Sequence, residues 1–228
     1  MRALVLSPHF DDAPLSLGQS MLDGELAAAD VTVAVVFGAT NWVRWFHPTR
    51  RRAPLVCLIR RAEEARNARR FGYRVRTAGL EEAILRTGST DTADYLDPDA
   101  PLAPRLVDDV ARVITPWVAD ADTVLAPMGL GGHVDHRLLG EAARRIVPAD
   151  RLALYEDRPY ACYLGDDEIA AAARRIDPAM RPRDASGPIV EAKTGRLWYP
   201  SQFDHYFTDA MRSDREGARR ERLWSTPS

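Results

Sequence analysis

MRALVLSPHFDDAPLSLGQ, residues 1–19, sets an apolar run directly against a histidine and two adjacent aspartates. ALVLS at 3–7 is short, continuous and rich in strand formers, as expected of a parallel strand buried on both faces. Pro14 predicts the opening of a helix carrying Leu15, Leu17 and Leu22, which Gly18 and Gly24 weaken. Between strand and helix lies SPHFDD. Asp11 and Asp12 could simply cap the helix. With His9 they could equally form part of a site, so the rest of the chain has to decide.

Working outward, VTVAVVF at 31–37 reads as a second buried strand. A helix over about 55–71 ends at a glycine, and YRVRT at 73–77 alternates like a strand with one more exposed face. Residues 104–118 read as a helix whose last turn Pro116 disturbs. TVLAP at 123–127 is a fourth strand, MGLGGHVDH at 128–136 leads from a glycine-rich loop into a helix, and RLALYED at 151–157 supplies a fifth strand. Strands alternating with helices predict a three-layer α/β/α, Rossmann-like fold with a mostly parallel sheet. Residues 1–228 read as a single domain, with 158–228 an irregular C-terminal extension that completes the fold or pocket. Ligands of such sheets bind beyond the carboxyl ends of the strands. SPHFDD and MGLGGHVDH therefore fall on one rim.

Charge and composition narrow the partners. The 31 basic and 33 acidic residues leave a formal charge of −2, which gives no overall pull toward nucleic acid. Two cysteines, Cys57 and Cys162, provide no disulfide framework. No stretch reaches the roughly 18 apolar residues of a membrane helix, and the early interruption at His9 argues against a signal peptide. The expectation is a cytoplasmic protein with a small-molecule substrate, no membrane partner, and room for a homo-oligomer.

His9, Asp11 and Asp12 form one cluster, and His133, Asp135 and His136 the other. Two imidazoles and one carboxylate suit zinc and leave a coordination position for water. A further carboxylate beside that water can take its proton. HFDD at 9–12 and HVDH at 133–136 resemble the HxDD and HxDH motifs of the LmbE-like, PIG-L-like N-acetylglucosaminyl deacetylase family of zinc-dependent hydrolases. YEDRPY at 155–160, WYPSQF at 198–203 and RERLW at 220–224 look like supporting features, so the resemblance spans most of the chain. It implies Zn2+ on His9, Asp12 and His136, with Asp11 as general base. It also implies that His133 stabilises the oxyanion and that Asp135 hydrogen-bonds His133. The chain departs from many relatives at Ala13, where they carry an acid, and in LSLGQS, where they carry a second glycine. These departures touch the substrate subgroup and leave the ligand set intact. MGLGGH lacks the GK[ST] ending of a phosphate loop.

NWVRWFHPTRRR at 41–52 places Trp42 and Trp45 among arginines, an arrangement suited to a lid that stacks on sugars or acyl groups or to docking against the tail. The family often carries an arginine and an acid at the start of the following helix. Arg61 and Glu64 are the nearest match, with Arg60 and Glu63 offering the adjacent register. Tyr199 and Gln202 are pocket candidates by the same resemblance. The implied activity is zinc-dependent removal of an N-acyl group, N-acetyl above all, from a small-molecule amine such as an amino sugar or specialised metabolite. The rivals are hydrolysis of a thioester or larger acyl amide, and a zinc-dependent binding protein without catalysis.

Overall fold

The computed structural model describes residues 1–227. The strands are β1 (Arg2–Ser7), β2 (Asp30–Val35), β3 (Arg74–Thr77), β4 (Thr123–Pro127), β5 (Leu152–Tyr155), β6 (Arg181–Pro188) and β7 (Arg220–Ser225). The helices are α1 (Asp12–Asp23), α2 (Ala53–Phe71), α3 (Ala83–Thr87), α4 (Pro104–Ala119), α5 (Val134–Ile146), α6 (Asp166–Ile176), α7 (Glu191–Thr194) and α8 (His205–Glu216). They build one seven-stranded sheet in the order β3-β2-β1-β4-β5-β7-β6. Strands β1 to β5 pair in parallel, and β7 and β6 add antiparallel.

Alternation along β1 assigns its neighbours. Ala3 and Val5 pack with Leu17, Met21 and Phe71 from α1 and α2 on one face. Leu4 and Leu6 pack with Ile114, Leu138 and Ile169 from α4, α5 and α6 on the other. This is the expected three-layer α/β arrangement. Among the described residues, no helix is long and apolar enough to cross a membrane.

The tail is more ordered than the sequence reading allowed. Residues 181–188 and 220–225 are not irregular; they are the last two strands of the sheet. RPRDASGP escapes detection because β6 is an edge strand, where prolines and an exposed face are tolerated. The buried Glu221 on β7 fixes the tail to α1. Its carboxylate accepts from the Gln19 and Ser20 amides at 2.9 and 2.7 Å and pairs with buried Lys193 at 2.8 Å. Helix α4 also runs through Pro116 to Ala119.

Strand order reverses between β1 and β4, with β2 and β3 to one side and β5 to the other. Such a switch point opens a crevice at the carboxyl ends of the two strands. HFDD follows β1 and HVDH follows β4, so both motifs meet there.

Candidate metal centre and active site

The turn after β1 is tied from below. Ser7 Oγ donates to the His9 carbonyl at 2.6 Å and accepts from the Ala13 amide at 3.1 Å. Asp11 precedes α1 but makes no side-chain cap bond, so helix capping does not account for its carboxylate. Asp11 Oδ1 instead accepts from Arg60 Nη2 at 3.0 Å, and both side chains are buried. Among the described residues, no protein donor is bonded to Asp11 Oδ2. Asp12 turns the other way, its Oδ2 accepting from the His9 amide at 2.7 Å. The adjacent carboxylates therefore diverge.

The loop after β4 must pass close under its neighbours. A side chain at Gly131, where φ is 75°, would place its Cβ 2.2 Å from the Tyr160 ring. Only glycine fits that left-handed position at that distance. The loop delivers His133 as the N-cap of α5, its Nδ1 accepting from the Asp135 amide at 3.2 Å. His133 Nε2 is then the ring nitrogen that carries the proton.

His9, Asp12 and His136 present one ligand atom each, all within 4.8 Å of one another. His9 Nδ1 lies 3.2 Å and His136 Nε2 3.4 Å from Asp12 Oδ2. Tetrahedral zinc with bonds of about 2.0–2.1 Å separates its donors by roughly 3.3–3.4 Å, and both distances to Asp12 Oδ2 match that spacing. Each imidazole is backed by a carboxylate on its far nitrogen. His136 Nδ1 meets Asp157 Oδ1 at 2.7 Å, and His9 Nε2 meets Asp135 Oδ2 at 3.1 Å. Such backing fixes the ring and leaves the other nitrogen for a metal.

His9, His133 and Asp135 make a second compact trio. Its carboxylate is already committed. Asp135 Oδ2 accepts from the Ala83 amide at 2.8 Å, and Oδ1 from Arg86 at 2.7 Å. A neighbouring guanidinium also repels a cation. The Asp12 trio is the better metal centre.

Electrostatics supports that choice. Burial opposes a charged His9, but Glu82, Asp12 and Asp135 outweigh it and hold the imidazole well above its ordinary range. His136 is likewise raised against burial by Asp12 and Asp157. Burial favours a neutral Asp12, yet His136 and His9 hold it well below the usual carboxylate range. Burial, then His9 and His136, push His133 down and keep it neutral. A carboxylate facing two imidazoles that attract positive charge is a place prepared for a cation.

The cleft above is lined by His9, Asp11, Asp12, His133 and His136, as the motifs predict. Trp42 and Gln202 line it too, but the other substrate candidates do not. Trp45 is half exposed outside the lining. Arg61 points to solvent, and Glu64 and Tyr199 are buried behind the wall. The arginine in the cleft is Arg60, in the adjacent register. Asp135 serves His9 through its carboxylate, and meets His133 only through its backbone amide. The first turn of α5 carries its side chain across to β1's loop, so the bond to His133 that the family resemblance implied is made by the Asp135 amide and not by its carboxylate. Glu82, Tyr95, Tyr160 and Asp157 are functional candidates not anticipated. Asp157 lay in the quoted YEDRPY at a strand's carboxyl end, which was a usable signal.

These residues define a metal-dependent hydrolase. No family model matches the chain. It is 34% identical over 238 residues to the 2'-N-acetylparomamine deacetylase of Streptomyces fradiae, an alignment covering 96% of this chain and 80% of that one. The fold recurs in a teicoplanin-complexed deacetylase, with TM-score 0.64, 21% identity and coverage of 99% and 98% of the two chains. It recurs also in the A40926 pseudoaglycone deacetylase, with TM-score 0.61, 23% identity and coverage of 98% and 96%. The chain belongs to the PIG-L/LmbE-like deacetylase family.

Proposed function

We propose that the protein is a cytoplasmic, zinc-dependent deacetylase that removes an N-acetyl group from a small amino sugar. The observation that carries this reading is the His9, Asp12 and His136 trio with the unshared Asp11 Oδ2 beside it in an open cleft. Zinc held by the trio supplies Lewis acidity, polarising a carbonyl and acidifying water.

The chain's own groups do the rest. Asp11, anchored by Arg60 through Oδ1, accepts the proton of the attacking water on Oδ2. His133, whose Nδ1 is engaged by the Asp135 amide, donates from Nε2 to the carbonyl oxygen as charge develops there. The protonated Asp11 carboxyl returns its proton to the departing amine. Products are acetate and a free amine.

The walls support a polar, amine-bearing substrate. Arg60 lines the cleft and brings a buried positive charge to its wall, its Nη2 held by Asp11 at 3.0 Å. Glu82 adds an acceptor for a hydroxyl or ammonium. Thr92, Tyr95 and Leu96 bring the acidic segment 91–99 to the mouth. The related 2'-N-acetylparomamine deacetylase makes an N-acetylated amino sugar the first substrate to test. Thioester hydrolysis and metal binding without turnover are the competing outcomes. The test is a panel of N-acetyl amino sugars, longer N-acyl amines and acyl thioesters, assayed by mass spectrometry before and after chelation. Zinc-restored acetate release from the amino sugars is expected. Preference for thioesters, or stoichiometric zinc with no turnover, overturns the proposal.

A further inference from the structure

The buried face of α2 carries a polar stretch between apolar ends, Val56 on one side and Ala68 and Phe71 on the other. Arg60, Glu63, Glu64 and Asn67, spaced i, i+3, i+4 and i+7, are all buried. Three of them hold the tail segment 198–201. Asn67 exchanges two bonds of 2.9 Å with the Trp198 backbone, and Glu63 takes the Ser201 amide and hydroxyl at 2.8 and 2.6 Å. Glu64 meets the Tyr199 hydroxyl at 2.6 Å, and that hydroxyl also lies 2.9 Å from the Phe10 carbonyl.

The Phe10 carbonyl needs that contact. Four residues on, where a helix would supply an amide N–H, stands Pro14, which has none. Among the described residues, no backbone amide bonds to it. Phe10 lies between His9 and Asp11, so its peptide sets the direction of the whole turn.

A count of the protein's own protons bears on the state of Glu64. The Tyr199 hydroxyl has one proton and faces two acceptors, the Phe10 carbonyl and Glu64 Oε2. If Glu64 were ionised, one of them would be buried without a protein donor. If Glu64 is protonated on Oε2, it donates to Tyr199, Tyr199 donates to Phe10, and Tyr73 donates to Glu64 Oε1 at 2.9 Å. Every group is satisfied. Among the described residues, no arginine is salt-bridged to Glu64; the Nη2 of Arg60 is bonded to Asp11.

We infer that Glu64 is a neutral carboxylic acid that directs the Tyr199 hydroxyl onto the Phe10 carbonyl, making Glu64 and Tyr199 positioning residues for Asp11 and Asp12. Their part in turnover rests on the hydrolase reading; the protonation of Glu64 does not. Burial outweighs the other groups facing Glu64. Burial pushes it up to about 8, the Tyr199 and Tyr73 hydroxyls pull down, Asp11 adds to the rise and Arg60 offsets part of it.

The test uses the zinc-loaded enzyme and three variants, Glu64→Gln, Glu64→Ala and Tyr199→Phe. Carboxyl 13C NMR, comparing wild type with Glu64→Gln, should assign one resonance that is protonated at pH 7 and titrates near pH 8. Tyr199→Phe should lower kcat on the order of tenfold, with KM and zinc content unchanged. Glu64→Gln retains a donor toward Tyr199 and an acceptor for Tyr73. It should keep kcat within about threefold and abolish a fall in kcat near pH 8, whereas Glu64→Ala should match Tyr199→Phe. An ionised Glu64 resonance at pH 7, or loss of activity in Glu64→Gln equal to that in Glu64→Ala, overturns the inference. A protein without turnover on any substrate would sink the function and leave the NMR result standing.

Discussion

The floor and the wall of the cleft are built on different rules. On the floor, His9 and His136 each have one nitrogen taken by a carboxylate, Asp135 or Asp157, and the other turned toward Asp12. Those carboxylates are themselves held by backbone amides, of Ala83 in one case and Gly129 and Leu130 in the other. The wall brings Trp42, Arg60 and Gln202 to the cleft with no such carboxylate-backed imidazole among them. The floor's donors converge on one point, where a metal ion would sit, and the wall lines the space left to the substrate. Changes to the floor should therefore act on metal, and changes to the wall on substrate.

The largest effect that can break this contrast comes from Asp12, which both imidazoles face. Asp12→Ala should abolish stoichiometric zinc after dialysis, and turnover with it, measured by metal analysis on folded samples. Undiminished zinc would remove Asp12 from the ligand set. Asp11 stands on the boundary between floor and wall. Asp11→Asn should keep the metal while turnover falls roughly 10²- to 10⁴-fold, the range for losing a general base. Near-normal turnover at full metal occupancy would move the base elsewhere.

One step further from the ion, Asp157→Asn sharpens the comparison. Asp157 Oδ1 backs His136 while Oδ2 takes the Gly129 and Leu130 amides at 2.8 and 3.0 Å. The amide keeps one acceptor and loses the charge. Zinc affinity should weaken about 10- to 100-fold, as for other groups behind a metal ligand. A competition titration with a zinc chelator reads this directly. Unchanged affinity would mean that the loop alone places His136.

What the sequence made legible follows the same divide. The floor residues announce themselves because HFDD and HVDH are local in sequence and follow the two strands that flank the switch point, β1 and β4. Their supporting contacts are not local. Asp135 lies beside His133 in sequence but bonds a ring 126 positions away. The RRAEEARN stretch of α2 looks like a solvated face, and would be one without WYPS of the tail, more than 130 positions on, to accept it. β6 carries prolines and exposed charges, and only its neighbour β7 makes it a strand. Side chains satisfied by distant backbone leave no periodic signal.

The smallest effect separates two tryptophans of the same arm. Trp42 lines the cleft, and Gln202 Nε2 donates to its carbonyl at 3.2 Å. Trp45, three residues on, is 51% exposed and outside the lining. The arm itself is tied to the tail, the Arg44 amide donating to the Ser201 carbonyl at 2.8 Å. As a fixed wall, it would need Trp42 and be indifferent to Trp45. As a lid that folds over bound substrate, it would bring Trp45 into contact. Trp42→Ala should raise KM several-fold, since a stacked aromatic contributes about 0.5–1.5 kcal/mol beyond its buried area. Trp45→Ala should leave kcat/KM within about twofold on every acyl substrate tested, because exposed side chains away from a site rarely matter by more than about 0.5 kcal/mol. Zinc content should stay constant in both. A Trp45 variant that changes the preference between short and long acyl groups would show that the arm closes during turnover, and would extend the wall to residues that lie outside the open cleft.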